Sequence, residues 1–450
     1  MKAIILAAGV GKRMKSDLPK TLHTTAGKPM LHYVIDACQQ AGIHDITVVI
    51  GKGGELVQAA ISQPVRFVWQ DQQLGTGHAA LCAKQHISPD DRVVILYGDT
   101  PLITPEFLKN LSAFQQEKSA HGVVVAVQVP DPTGYGRVMT KDGKFEAIIE
   151  QRDLTADQHT IDLINTGLYM STGQALLQGL ERLNNNNNSQ EYYLTDVPKI
   201  VSDAGLHVVV YCAADHLQFM GVNSQKQLAE AAVVLRSRII DRHFENGVTI
   251  IDPSAVYIDA SVEIEQGAVL LPGVMLHGHS RIGEGAVIGP HTQITDSVIG
   301  PRTVVRNSVI EEAEIGADCK IGPFAYLRNE AKVGDRCRIG DFVEIKKSTL
   351  GNDTKAAHLA YIGDATIGER VNFGCGAITV NYDSKYKHQT VVEDEAFIGS
   401  NVNLIAPVTV HSGAYVAAGS TITEEVPEDA LAIARERQTN KEGRAKKYKK

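Results

Sequence analysis

Tyr257-Ile-Asp-Ala-Ser-Val-Glu-Ile-Glu-Gln-Gly-Ala-Val-Leu-Leu-Pro-Gly-Val-Met-Leu276 sets Ile258, Ile264, Leu270 and Leu276 at strict steps of six. The beat continues through Ile282, Ile288 and Ile294, returns at Ile315, Ile321, Leu327, Val333, Ile339 and Ile345, and again at Val392, Ile398, Leu404, Val410, Val416 and Ile422. Many of these residues are followed by Gly and have a small residue four positions on, as in Ile282-Gly-Glu-Gly-Ala286 and Val416-Ala-Ala-Gly-Ser420. Six residues fit one short strand and its turn. Three such units close a coil, and stacked coils form a parallel β-helix with aliphatic side chains at its centre. Coils about 4.8 Å apart leave an interior too thin for aromatic rings.

Composition agrees. The chain has 450 residues, 40 of them Gly, only 6% aromatic and one Trp. At roughly 100 to 200 residues per domain this length allows two to four domains. A formal charge of −8, from 44 Lys and Arg against 52 Asp and Glu, argues against nucleic acid as a partner. Only Arg444-Ala-Lys-Lys-Tyr-Lys-Lys450 is locally basic, and it reads as a solvated terminus. Six cysteines without a CxxC indicate reduced thiols and a cytoplasmic location. Cys319 and Cys337 share one small-residue slot on successive coils and read as core. The start, Met1 to Val10, reads as a buried strand rather than a signal peptide. No apolar run reaches the roughly 18 residues of a membrane helix, so no membrane partner is expected.

Before residue 225 the pattern changes. Ala3–Leu6, Ile46–Ile50, Val93–Leu96 and Val123–Val129 are aliphatic runs separated by helical stretches, the mark of a doubly wound, Rossmann-like α/β domain. The tract Asn184–Asn188 reads as a surface loop. Ser224-Gln-Lys-Gln227 has capping-box spacing and opens a helix over 225–245, ended near Asn246-Gly247. The expected division is 1–224, a linker at 225–247, and 248–450. The six-residue beat breaks between about Thr379 and Val391, where an excursion loop leaves the β-helix, a natural place for function.

The first strand runs into Leu6-Ala-Ala-Gly-Val-Gly-Lys-Arg-Met14, a glycine turn suited to phosphates. It is neither GxGxxG, since Met14 holds the third Gly position, nor a P-loop, since Arg13 follows Lys12. Leu18-Pro-Lys20 adds a cation on a stiffened segment. Tyr97-Gly-Asp99 puts a carboxylate at the carboxyl edge of a strand, where open α/β sheets bind ligands and where Mg²⁺ finds oxygens. Thr104-Pro105-Glu106 caps the next helix, leaving Asp99 for another task.

With Gln70, Gln73-Leu-Gly-Thr76, Gly134-Tyr-Gly-Arg137, Glu150, Asn165-Thr-Gly167 and Gly221-Val-Asn223, these motifs resemble those of the sugar-1-phosphate nucleotidyltransferases. With the hexapeptide repeats behind them, the chain to about residue 440 resembles the bacterial bifunctional N-acetylglucosamine-1-phosphate uridyltransferase/glucosamine-1-phosphate acetyltransferase family. The resemblance implies a left-handed β-helix and synthesis of UDP-N-acetylglucosamine from glucosamine-1-phosphate, acetyl-CoA and UTP. It implies that Ala8, Gly9, Gln70, Gly75 and Thr76 hold uridine, that Arg13 and Lys20 grip phosphates, and that Asp99 and Asn223 bind Mg²⁺. Leu6, Ala7, Tyr97 and Gly98 complete the nucleotide-sugar site, and Gly136, Glu150, Asn165 and Thr195 line its sugar pocket.

For acetyl transfer the resemblance implies His358 as proton acceptor, a role suited to imidazole near neutral pH. Arg328, Lys346, Tyr361 and Asn372 would bind the sugar phosphate, and Cys375, Asn381, Tyr382, Ser400, Ala418 and Arg435 acetyl-CoA. It also implies a homotrimer assembled through the β-helix, with acetyl-CoA between neighbours. Two departures stand out: Asn329-Glu330 where the family often has Pro-Gly, and Ser384 at a common Gly. His277 and His279 read as exposed turn residues. The alternatives are a single-activity sugar-1-phosphate nucleotidyltransferase with a structural or regulatory β-helix, and a β-helix acting as a metal-dependent hydratase or a passive trimerisation module.

Overall fold

The computed structural model describes residues 1–141, 143–187 and 189–449; Asn188, closing the asparagine tract, and Lys450, closing the basic tail, lie outside the described residues. The chain divides into two compact units, Met1–Leu235 and Arg236–Lys450.

In the first unit the sheet runs in the order Val208–Ala213, Gly122–Gln128, Leu163–Thr172, Arg92–Tyr97, Lys2–Leu6, Asp45–Ile50, Arg66–Trp69. Lys2–Leu6 lies inside it, parallel to both neighbours, which is why its residues from Ala3 to Leu6 are buried. The sheet is Rossmann-like but mixed. Leu163–Thr172 runs antiparallel to both neighbours and carries a hairpin, Arg137–Lys141 with Lys144–Ile149, beyond the main layer. Alternate residues of the first strand face opposite cores: Ala3 and Ile5 meet Leu31, Ile35 and Leu108, whereas Ile4 and Leu6 meet Ala80, Leu176 and Val201. Thr104 caps the helix Pro105–Glu117 by accepting the Phe107 N–H at 3.2 Å.

The helix Gln225–Glu245 forms where its cap predicts. Ser224 Oγ accepts from Gln227 N at 3.3 Å, while Gln227 Oε1 reaches back to Asn223 N at 2.8 Å, one residue beyond the usual capping box.

The second unit is a left-handed parallel β-helix of three sheets, with 11, 10 and 9 strands among the described residues. Every aliphatic residue of the six-residue beat is buried. Each would contribute roughly 1.5 to 3 kcal/mol by leaving water. One ring does enter the prism. Phe373 is 3% exposed, and it fits because Ala356 precedes it in the column and leaves the volume it needs. Cys319 and Cys337 lie in the core, each just before one of two paired strands, both as free thiols. At one row of corners, Arg302, Asp318, Arg336, Asp353, Arg370 and Glu395 all take left-handed backbone and alternate in sign. Arg302 pairs with Asp318 at 2.7 Å, Arg336 with Asp353 at 2.8 Å and Arg370 with Glu395 at 3.0 Å. The excursion appears in the register: Leu350 pairs with Ile367, but Ile367 pairs with Val392.

His243, 2% exposed, has no hydrogen-bond partner on either ring nitrogen. Burial, aided by the neighbouring Arg242 charge, lowers its pKa to about 4. The unfolded chain therefore takes up a proton near pH 6.5 that the folded chain refuses. Stability should fall as pH drops from about 6.5 to about 4, by up to roughly 3 kcal/mol. Thermal denaturation between pH 7 and 5 should show a shallower decline for His243→Leu than for the parent chain. An unchanged slope would remove His243 as the cause.

Candidate active sites

In the first unit the turn after Lys2–Leu6, the carboxyl end of Arg92–Tyr97 and the segment Gly221–Asn223 meet at one edge of the sheet. They enclose a cavity of about 680 Å³. Its walls include Leu6, Ala7, Ala8, Gly9, Arg13, Lys20, Gln70, Gly75, Thr76, Tyr97, Asp99 and Asn223. A second cavity of about 510 Å³, lined by Gly136, Glu150, Asn165 and Thr195, shares Thr76, Tyr97 and Tyr135 with the first. Nucleotide and sugar residues anticipated from sequence thus occupy two joined chambers. Gly98 lies outside both linings. It is packed behind the wall, where a Cβ would meet Thr21, Leu31 and Ala7 at 3.1 to 3.3 Å.

At the floor of the larger chamber Lys20 Nζ is paired with Asp99 Oδ2 and donates to Asn223 Oδ1 at 3.0 Å. Asp99 is nearly buried, and its carbonyl accepts from Val222 N at 2.9 Å, which ties Asn223 to the strand end. Among the described residues there is no cluster of three or more His, Cys, Asp or Glu placed to hold a metal. Two oxygens do converge on one cationic nitrogen, and a carboxylate with an amide oxygen suits Mg²⁺ when substrate phosphates and water supply the remaining ligands.

Gln70, 5% exposed, donates to the Gly75 carbonyl at 3.0 Å, and Gln73 to the Ala8 carbonyl at 2.9 Å, bracing the two loops that face the chamber. In the smaller chamber Asn165 donates to Tyr169 Oη at 2.7 Å and accepts from Gly167 N at 3.2 Å. Burial raises the Glu150 pKa against a hydrogen bond from Thr195. Tyr97 is pushed up by burial and then by Asp99, so it stays a neutral phenol. Sequence reasoning missed Thr133, Tyr135, Thr166 and Glu191, which also line the chambers. Tyr135 and Thr166 stand inside motifs already quoted, so position within those motifs was the available signal.

In the β-helix most of the anticipated residues sort into two columns. One follows a corner, from Asp341 and His358 through Cys375 and Ser400 to Ala418. His358 pairs in register with Asp341, Asn401 N donates to the Cys375 carbonyl at 2.8 Å, and Gly419 N to the Ser400 carbonyl at 2.8 Å. Arg435 Nη1 donates to the Ala418 carbonyl at the end of this line. His358 Nδ1 lies 2.8 Å from Asp341 Oδ1, and this hydrogen bond holds the Asp341 carboxyl below its ordinary pKa. A carboxylate there favours the proton on Nδ1 and leaves the lone pair on Nε2.

The other column follows the second sheet, with Arg328 over Lys346 over Gly363. Arg328 donates through Nε and Nη2 to Glu344 Oε1 at 3.0 and 2.6 Å. Asn381 donates to Asp364, and its amide lies 3.5 Å from Tyr361 Oη. Tyr382 is exposed in the excursion loop, with Oη donating to the Ser384 carbonyl at 2.6 Å. Asn372 belongs to the first sheet, between Lys355 and Phe397, and is not part of the Arg328 column. Lys387, which sequence reasoning passed over, lies against Lys346 and lowers its pKa. Its signal was a cation inside the excursion loop.

A MobA-like NTP transferase domain matches residues 3–189, and bacterial transferase hexapeptide repeats match 261–296 and 312–347. The chain is 49% identical over 448 residues to the bifunctional protein GlmU of Clostridium tetani, with 99% of this chain and 98% of that one covered. It is 48% identical over 442 residues to the GlmU of Halalkalibacterium halodurans, covering 98% and 97%. The chain belongs to the bifunctional GlmU family. It is a two-activity enzyme, a uridyltransferase joined to a hexapeptide acetyltransferase, and the single-activity alternative falls away. No described helix is long and apolar enough to cross a membrane.

Gly75 gives this GlmU-family site a sharp test. Its φ is 107°, and a Cβ there would meet the Tyr192 carbonyl at 2.6 Å. Gly75→Ala should cut uridylyl transfer at least about tenfold by displacing the loop that holds Gln70. Acetyl transfer, assayed as thiol release, should be unaffected.

Proposed function

We propose that the paired chambers carry uridylyl transfer and the β-helix columns acetyl transfer. The enzyme transfers acetyl from acetyl-CoA to glucosamine-1-phosphate, then uridylyl from UTP to the resulting N-acetylglucosamine-1-phosphate, releasing pyrophosphate. The observation that carries the first assignment is the convergence of Lys20, Asp99 and Asn223 in a chamber walled by Arg13 and joined to a second, polar one.

The sugar phosphate oxygen that attacks the α-phosphorus is already ionised, so in-line positioning and charge neutralisation are what the protein must supply. Arg13 and Lys20 supply cations to the triphosphate. Gln70, Gly75 and Thr76 with Leu6, Ala7, Ala8 and Gly9 seat the uridine, and Glu150, Asn165, Thr195 and Gly136 orient the sugar. Asp99 and Asn223 would hold Mg²⁺, which would neutralise charge on the phosphates when bound. Lys20 contacts both of their oxygens and holds the two side chains in alignment.

In the β-helix Lys346, Lys387 and Arg328 form the anion site for the sugar phosphate, with Tyr361 and Asn372 toward the sugar. His358, oriented by Asp341, accepts the proton as the glucosamine amine attacks the thioester. Acetyl-CoA lies along the corner column of Cys375, Ser400 and Ala418, with Asn381 and Tyr382 from the loop and Arg435 meeting coenzyme phosphate.

Amine and phosphate sit on adjacent carbons of one sugar ring. Within one chain, His358 and the residue paired with Lys346 stand on opposite borders of the second sheet, on the order of 15 Å apart along the backbone. That separation supports a site shared between copies, hence a homotrimer. The corner residues Phe324, Phe342 and Leu359, each more than half exposed in left-handed backbone, support an apolar interface beside it. The free cysteines suit a reducing cytoplasm.

Separate assays of pyrophosphate and free thiol test the division. Asp99→Ala should lower uridylyl transfer by more than about 100-fold and leave acetyl transfer intact. His358→Ala should lower acetyl transfer by roughly 10²- to 10⁴-fold and leave uridylyl transfer intact. A folded Asp99→Ala chain that loses both activities would refute the two-site division. Lys387→Ala should raise KM for glucosamine-1-phosphate about tenfold or more, with little change in kcat.

A further inference from the structure

Arg92 opens the strand Arg92–Tyr97 at the end remote from the nucleotide chamber, about 17 Å along the strand from Tyr97. Its guanidinium meets only neutral partners. Nε donates to Gln115 Oε1 at 3.1 Å, and Nη2 donates to the Ser112 carbonyl at 2.6 Å and hydroxyl at 3.0 Å and lies 3.9 Å from Met170 Sδ. Among the described residues no carboxylate pairs with it, and burial lowers its pKa. Gln115 is 3% exposed. Its Oε1 is committed to Arg92, and its Nε2 is buried with no partner.

Both side chains line an open depression of about 220 Å³, room for about seven waters at roughly 30 Å³ each. The other polar side chains of the lining can donate, Gln116 through its amide N–H groups. Ser119 contributes a hydroxyl, and Thr172 keeps its O–H after Oγ1 accepts from Ala175 N at 3.4 Å. His121 Nδ1 accepts from His207 N at 3.2 Å, so the neutral ring carries its proton on Nε2. An uncompensated guanidinium and an unmet buried N–H are both unfavourable, and the Lys20, Asp99 and Asn223 machinery at the far end of the strand does not use them.

We propose that this depression is a binding site for a small oxyanion of the size and charge of inorganic phosphate. The guanidinium supplies the charge and part of a planar fork, and the amide, imidazole and hydroxyl groups around it offer donors to an acceptor-rich ligand.

The full chain is titrated with inorganic phosphate by calorimetry while saturating UDP-N-acetylglucosamine, glucosamine-1-phosphate and coenzyme A occupy the nucleotide-sugar, sugar-phosphate and coenzyme sites of the two reactions. One phosphate per chain should bind to the parent protein, and Arg92→Gln should weaken it at least about tenfold. Gln115→Glu sets a carboxylate against the guanidinium, so it should abolish phosphate binding and raise Tm in phosphate-free buffer. Both variants should retain uridylyl transfer in that buffer. Absence of phosphate binding by the parent chain, or parent-like affinity in Gln115→Glu, would overturn the proposal. The Gln115→Glu result decides it even if Arg92→Gln does not fold.

Discussion

Each coil of the β-helix is hydrogen-bonded to the next through its backbone, as in Lys320 N to the Cys337 carbonyl at 2.9 Å and Gly334 N to the Leu350 carbonyl at 2.8 Å. That constraint turns sequence spacing into vertical columns, because a residue must stand above its equivalent one coil away. Inside, the columns are aliphatic and continuous. At one row of corners they alternate Arg with Asp or Glu, so that each left-handed position, unfavourable for a side chain by about 1 kcal/mol, faces an opposite charge. The candidate acetyl-transfer residues fall into the same geometry. His358, Cys375, Ser400 and Ala418 are far apart in sequence and adjacent in space because stacking leaves them nowhere else to be.

The first unit solves a different problem with a sheet that is open at one end. Its central strand is buried on both faces, so its chemistry must emerge where the strand stops, at Leu6 and at Tyr97. The loops there are braced by backbone contacts rather than by regular structure: Gln70 to the Gly75 carbonyl, Gln73 to the Ala8 carbonyl, Asp99 to Val222. Gly11 shows the tolerance involved. Its φ is 62°, and a Cβ would stand 2.7 Å from Lys20 Cβ, so the glycine turn and the lysine of the chamber floor are packed as one object.

Much of this was legible in the residues because the strongest signals are periodic. A beat of six cannot be a helix or an ordinary strand, and every position it marks proved to be interior. The capping signals at Thr104 and Ser224 were equally local and held. What the pattern could not carry was pairing direction. The Leu163–Thr172 strand is more polar than its aliphatic neighbours, but composition does not state in which direction a strand runs. Phe373 broke the rule against rings because that rule concerned average width, whereas packing is settled column by column, here by Ala356. Lys387 was overlooked for a related reason: a cation in an irregular loop has no periodic partner, and only the fold brings it against Lys346.

The departures at Asn329-Glu330 illustrate how far a column can absorb change. Asp296, Glu312, Asn329, Lys347 and Asp364 all hold left-handed backbone at φ between 45° and 51° on successive coils, so a polar residue at 329 follows its own row. Asn329 also uses its side chain, accepting from Arg328 Nη1 at 2.9 Å, while Glu344 takes the other edge of the same guanidinium. The substitution therefore adds a second restraint on the Arg328 guanidinium. Glu330 and Ser384 are different, since each adds a left-handed residue outside that row, at φ 65° and 79°. Glu330 is fastened by its N–H to the Glu312 carbonyl at 2.8 Å, and Ser384 by its carbonyl to Tyr382 Oη. The Tyr382 contact offsets local strain while fixing the ring of a candidate coenzyme-binding residue, so in this chain loop strain and ligand geometry are coupled through one hydrogen bond.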